Sequence, residues 1–214
     1  LYELNSLVRY ISQFITVLLI IYFSSIYYSI EVLLPEILIP IAILILIISG
    51  TAIINFINFM DGTDGLVTGS MSIVFAVYSL NNHNSFWIMV GSLFGFLVWN
   101  WQPAKIFMGD VGSTYLGGVF FAILVNNDDL IFSLTLLLIA SPLIFDALFC
   151  VLRRLINKQN IFKAHKSHLF QRLYDFGWSH SKISIIYISL TLLISLSVLT
   201  NNITIIFVSV FFTI

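Results

Sequence analysis

Two carboxylates three residues apart, each followed by glycine, stand in the stretch Asn55-Phe-Ile-Asn58-Phe-Met-Asp61-Gly62-Thr-Asp64-Gly65-Leu66. Carboxylates and carboxamides are hard oxygen ligands suited to Mg²⁺, and glycine lets a backbone turn sharply against a ligand. The stretch borders an apolar run, where a bare charge is costly unless it is paired or coordinates something. A polar helix cap followed by a turn would explain the same residues, since Asp and Asn favour caps. A second cluster, Asn100-Trp-Gln-Pro-Ala-Lys105-Ile-Phe107-Met-Gly109-Asp110-Val-Gly112-Ser113, again sets an Asp between glycines with a cation nearby. A helix beginning after it would let Gly112, Ser113 and Thr114 offer backbone N–H groups to a phosphate. Phe107 offers either membrane packing or a stacking surface for a base.

A third cluster is basic: Lys163-Ala-His165-Lys166-Ser-His168-Leu-Phe-Gln-Arg172, with Gly177-Trp-Ser-His180 after it. His165 and His168 would share a face if helical, and with the surrounding cations they suit a diphosphate. A zinc site is weaker, because Zn²⁺ wants three or four ligands and no cysteine is near. A solvated basic loop on an anionic membrane surface is the plainer alternative. Asp146, in Ser141-Pro142-Leu-Ile-Phe-Asp146, lies inside an apolar run. It is either functional or a hydrogen-bonded helix contact beside a proline kink.

The elements that must carry these residues are membrane helices. The chain has 214 residues, 59% hydrophobic and only 9% charged, where a soluble domain would be about a quarter charged. Apolar runs approach the roughly 20 residues a helix needs to cross hydrocarbon, and they lack the alternation of a membrane barrel. The expected fold is all-α, a polytopic bundle forming one membrane domain over 1–214. Eight segments are read: Tyr10–Ile30, Ile37–Phe56, Leu66–Leu80, Phe86–Trp101, Thr114–Val125, Leu130–Leu152, Ile183–Leu199 and Ile203–Ile214. The third to fifth are short and are expected to recruit flanking loop residues. The single cysteine, Cys150, excludes an internal disulfide and is read as a packed core thiol. The net charge of −1 says nothing for nucleic acid.

If each segment crosses once, the loops alternate sides. All nine Lys and Arg residues then fall on one side, with the start, 57–65, 102–113 and the basic loop 153–182. The opposite loops, 31–36, 81–85, 126–129 and 200–202, have none. The positive-inside rule makes the first side cytoplasmic, and all three clusters lie there. Carboxylates for a metal and donors for phosphates on one face suit phosphoryl transfer, which needs mainly positioning and charge neutralisation.

At Asn58-Phe-Met-Asp61-Gly-Thr-Asp64-Gly-Leu and Phe107-Met-Gly-Asp110-Val-Gly-Ser the chain resembles the polyprenyl-phosphate N-acetylhexosamine-1-phosphate transferases. The likeness covers nearly the whole chain. The segment from His165 to Arg172, with His180, looks most like the branch that initiates bacterial O-antigen. The resemblance implies transfer of a sugar 1-phosphate from a UDP-N-acetylhexosamine to undecaprenyl phosphate at the bacterial inner membrane, releasing UMP. It implies Mg²⁺, with Mn²⁺ as an alternative, held by Asp110, Asp64 and Asn58. It implies catalytic roles for Asp110, Asp61, Asp64, His165 and His168. Asn58, Asn100, Lys105, Phe107 and Arg172 would bind substrate, Phe107 by stacking on uridine. The resemblance leaves the sugar and the oligomeric state open, a homodimer being one form.

The family also has an Asp-Asp pair at the cytoplasmic end of an earlier helix. Here Asp128-Asp129 falls on the opposite side and cannot substitute. The opening Leu1-Tyr-Glu-Leu through Arg9 and Gln13 resembles the family's residues just after that pair, so a cut just before Leu1, and inactivity of this piece alone, are expected. Two other classes stay open: an ion-coupled transporter using Asp146 and the loop carboxylates, and an inactive membrane scaffold.

Overall fold

The structure is a computed structural model that describes residues 6–82, 86–159 and 168–200. Those residues form helices, with no strand among them. In chain order they are α1 (Ser6–Phe23), α2 (Ser25–Leu33), α3 (Ile39–Met60), α4 (Leu66–Asn82), α5 (Trp87–Asn100), α6 (Gly109–Val125), α7 (Leu130–Ile139), α8 (Ser141–Ile156), α9 (Leu169–Asp175) and α10 (His180–Leu199). The all-α reading of the composition therefore stands.

The outer surface identifies the solvent. Ile41, Leu44, Ile45 and Ile48 on α3, and Leu130, Ile131 and Leu134 on α7, are exposed. A water-soluble protein does not display continuous apolar faces of this kind. Hydroxyls, by contrast, point inward: Thr68, Ser72, Ser79, Ser184, Thr191 and Ser195 are buried. Several bond back to the carbonyl four residues earlier, as Ser72 does to Thr68 and Thr191 to Tyr187. Small and hydroxyl residues between helices are the packing habit of membrane bundles, where lipid is as apolar as leucine and close approach replaces hydrophobic driving force. This is a membrane protein.

Helix lengths separate the segments into three kinds. With the short turn Glu36–Leu38 ahead of it, α3 forms a straight stretch of 25 residues to Met60, about 37 Å at 1.5 Å per residue. Like α10, it is long and apolar enough to cross a membrane. The expected first segment is not one helix: α1 and α2 meet at 67°, where Ser24 is extended and its hydroxyl donates to Ile21 O at 2.7 Å. The sixth is likewise two helices, α7 and α8, meeting at 74°. Pro142 sits at the start of α8; lacking an N–H and crowding the preceding turn, proline favours a break there. The three short segments become helices of 17, 14 and 17 residues, and α6 starts five residues earlier than Thr114. The eighth segment lies outside the described residues.

Close packing holds the centre together. α3 packs on α6, α8 and α1, while α4 packs on α5 and α10. At Gly117 of α6 two helix backbones meet, and an added Cβ would come within 2.7 Å of Ile54 Cα. One turn along from that contact, toward the same end, lie Asn58 on α3 and Ser113 on α6. Cys150 is buried, as a core thiol.

Candidate functional site

At one end of the bundle the α3–α4 loop, the α5–α6 loop, the start of α1 and the α8–α10 connection converge. Asn58, in the last turn of α3, donates from Nδ2 to Ser113 Oγ at 2.8 Å and to Asp110 Oδ1 at 3.3 Å. Arg9 of α1 reaches the other oxygen of Asp110, Nη1 to Oδ2 at 2.6 Å. Asp110 is thus held by α1 and α3 while remaining well exposed. Arg9, an isolated cation beside an apolar run, is a site neighbour that its charge alone did not single out.

Asp61 caps the end of α3 and lies near Asp110. Its burial, with a smaller contribution from the Asp110 charge, pushes its carboxyl up to about 7. A second carboxylate nearby and partial burial both disfavour the charged form of Asp61. Asp110, Asp61, the Asn58 carboxamide and the Ser113 hydroxyl are all hard-oxygen groups, so their chemistry fits a divalent cation. Among the described residues no three His, Cys, Asp or Glu side chains gather closely enough to hold an ion by themselves.

Asp64 has other partners. Its Oδ2 accepts from Ala104 N at 3.2 Å, and its Oδ1 lies 3.2 Å from His180 Nδ1. Its own carbonyl accepts from Ser184 Oγ at 2.7 Å. Asp64 therefore ties the second loop and the start of α10 to the first loop, whereas the family resemblance implied a place for it beside Asp110 and Asn58 around a metal. His180 entered the sequence reading only as the end of a motif.

Asn100 is buried and bonded through both its oxygen and its nitrogen. Its Oδ1 accepts from Gly65 N at 3.1 Å and from Thr68 Oγ1 at 2.8 Å, and its Nδ2 donates to Ile106 O at 3.0 Å. One carboxamide thus fixes three pieces: the second glycine of the Asp61–Gly65 turn, the first turn of α4 and the α5–α6 loop. Gly65 is in the left-handed region, φ 75°, and an added Cβ would press within 2.8 Å of the Trp101 ring. The same loop is tied to α10 through Gln102, whose Oε1 accepts from Ser181 N at 2.6 Å and from its hydroxyl.

Phe107 stands outside this frame, 72% exposed, a ring free to receive another. Lys105 is exposed, with its ammonium 5.1 Å from the Trp99 ring centre. The helix start differs from expectation in a way that matters for phosphate binding. Because α6 begins at Gly109 rather than after Ser113, Asp110 lies in its first turn. The four N–H groups without helical partners belong to residues 108–111, so Gly112, Ser113 and Thr114 are too far inside to present theirs.

The third cluster divides. His165 lies outside the described residues, with Lys163 and Lys166. Arg172 is exposed on α9. His168 is buried, 3% exposed, with its ring stacked on that of Phe170 at 5.6 Å and tilted against that of Phe59 at 6.1 Å. Its Nδ1 lies 3.6 Å from Asp146 Oδ1, so the two residues that the sequence treated separately are neighbours.

Residues 1–127 match the family model described as glycosyl transferase family 4. The chain is 39% identical over 153 residues to the probable undecaprenyl-phosphate N-acetylglucosaminyl 1-phosphate transferase of Bacillus subtilis (strain 168), across 64% of this chain and 42% of that protein. It is 37% identical over 152 residues to the phospho-N-acetylmuramoyl-pentapeptide-transferase of Lactiplantibacillus plantarum, across 64% of this chain and 45% of that one. It is 29% identical over 167 residues to the protein so named in Bacillus licheniformis, across 73% and 49%. The chain spans about half the length of the curated relatives it matches. On the family match, which covers more than half of its residues, the chain belongs to glycosyl transferase family 4.

Proposed function

We propose that this chain is the core of an enzyme that transfers a sugar 1-phosphate from a UDP-sugar to undecaprenyl phosphate. An oxygen of the lipid phosphate would bond to the β-phosphorus of the nucleotide sugar. The bond from that phosphorus to the bridging oxygen would break, and UMP would leave. The observation that carries the reading is the cluster of Asp110, Asn58, Ser113, Arg9 and Asp61 where the loops meet. It combines hard-oxygen ligands, a cation and free helix N–H groups at a membrane edge. The names of the relatives support it.

In this reading Asp110, with Asn58 and Asp61, would hold Mg²⁺. A bound Mg²⁺ supplies positive charge that neutralises a diphosphate. Asp64 keeps its partners and shapes the pocket instead. Asn100 positions the loop that carries Phe107, and Phe107 is the stacking surface for the uracil. Lys105 and Arg172 supply positive charge for the diphosphate, with His165. The site faces the cytoplasm of a bacterial inner membrane, because every Lys and Arg falls on its side of the alternating segments. Among the described residues two helices are long and apolar enough to cross a membrane, or four with each bent pair counted as one crossing; the eight crossings are part of this proposal.

The test is membranes bearing the full-length protein, supplied with undecaprenyl phosphate, Mg²⁺ and radiolabelled UDP-N-acetylhexosamines. The reading expects a lipid-soluble labelled product and equimolar UMP from at least one sugar. No product from any of them would sink it.

A further inference from the structure

We infer that Asp146 is a positioning residue: it fixes the first turn of α9 against the α3–α4 loop, and so sets where the His168–Arg172 segment meets the site. The inference rests on the transfer reading above. Asp146 lies in α8 within an apolar stretch, yet its carboxylate is fully engaged. Oδ1 accepts from Leu169 N at 2.8 Å, and Oδ2 from Phe170 N at 3.3 Å and from Tyr187 OH at 2.7 Å. One side chain therefore joins α8, α9 and α10.

The turn it holds touches the acidic loop on both sides of Asp61. The His168 ring packs beside Phe59. The Phe170 ring abuts Gly62 so closely that an added Cβ there would come within 2.8 Å of Cζ. Phe59 and Gly62 bracket Asp61 in sequence, so a shift of α9 moves the wall against which Asp61 sits. His168 is accordingly a brace that acts through this packing. A buried carboxylate is a poor device for stability alone, since desolvating it is costly and an apolar pair often serves as well. What it supplies is direction, because its acceptor sites accept N–H and O–H groups from fixed angles.

The experiment compares Asp146→Asn, Asp146→Glu and Tyr187→Phe in the full-length protein in nanodiscs. Steady-state kinetics with the UDP-sugar are read alongside amide hydrogen exchange of the peptide covering 168–175. Asp146→Asn is expected to speed exchange at Leu169 and Phe170 by about tenfold while exchange in α4 and α6 stays unchanged. KM for the nucleotide sugar should rise by about fivefold or more. Tyr187→Phe should shift both in the same direction by less, and Asp146→Glu should recover part of both. If exchange is unchanged, or KM is unchanged while kcat falls only with the amount of folded protein, the inference is overturned. Exchange does not depend on turnover. An inactive wild type would therefore fail the transfer reading alone, and exchange would decide the anchoring role.

Discussion

Gly117→Ala isolates the contact on which the site's geometry depends. The new Cβ would lie 2.7 Å from Ile54 Cα and 3.2 Å from Ile54 O. These are backbone atoms, so no rotamer change relieves the clash. Reaching an ordinary 3.4 Å contact requires α3 and α6 to separate by about 0.7 Å. One turn away the same separation would stretch the 2.8 Å bond from Asn58 to Ser113 and the 3.3 Å bond from Asn58 to Asp110 to or beyond the limit of a hydrogen bond. Overpacking of this kind costs about 1–3 kcal/mol, and each lost bond about 0.5–1.5 kcal/mol. Gly118→Ala is the control, because an added Cβ there meets nothing within 4 Å and gains the same helix propensity. Unfolding in mixed micelles, followed by tryptophan fluorescence, should place Gly117→Ala about 2–4 kcal/mol below Gly118→Ala. Equal midpoints would refute the claim that α3 and α6 touch backbone to backbone at this point.

Asn100→Ala should cost about 2–4 kcal/mol by the same assay, because it leaves the Gly65 N–H, the Thr68 hydroxyl and the Ile106 carbonyl without a partner; a change under about 0.5 kcal/mol would remove Asn100 as the link between the loops. Asp61 gives a pH signature. Its carboxyl is raised to about 7 in the folded protein, so the folded state holds that proton more tightly than the unfolded one. Stability from this group is full below about pH 4 and is lost as pH rises toward about 7. Melting midpoints measured without divalent ions should therefore fall across that window, and Asp61→Asn should flatten the fall. An unchanged slope would show that Asp61 is not the buried acid.

The bundle and the meeting of the loops were legible because lipid imposes a simple code. Runs such as Ile37–Phe56 have one stable conformation in hydrocarbon, and nine cations on one side of an alternating pattern place the clusters together. The breaks were less legible. Pro142 signals one of them, but Ser24 turns the chain with no glycine or proline to mark it. The start of α6 was misplaced because Gly109 and Gly112 read as loop, although tertiary contact of Ser113 with Asn58 favours helix there. Within the site, spacing found Asp61, Asp64 and Asp110 but not their partners. Arg9 lies 101 residues from Asp110, and His180 lies 116 from Asp64; no local pattern carries such a pairing. The partners of Asp64 and Asn100 and the burial of His168 come from tertiary packing, which a one-dimensional pattern does not contain.

The central claim is that Asp110, presented by the first turn of α6 to Asn58, Arg9 and the neighbouring Asp61, carries the transfer reaction. The most direct test is Asp110→Asn in the full-length protein, assayed for labelled sugar phosphate transferred to undecaprenyl phosphate at saturating Mg²⁺. The carboxamide keeps the side chain's size and removes only its charge. The expected result is a loss of turnover of at least about a hundredfold, with membrane insertion and melting midpoint close to those of the wild type. Turnover within a few-fold of the wild type would contradict the account and remove Asp110 from the reaction.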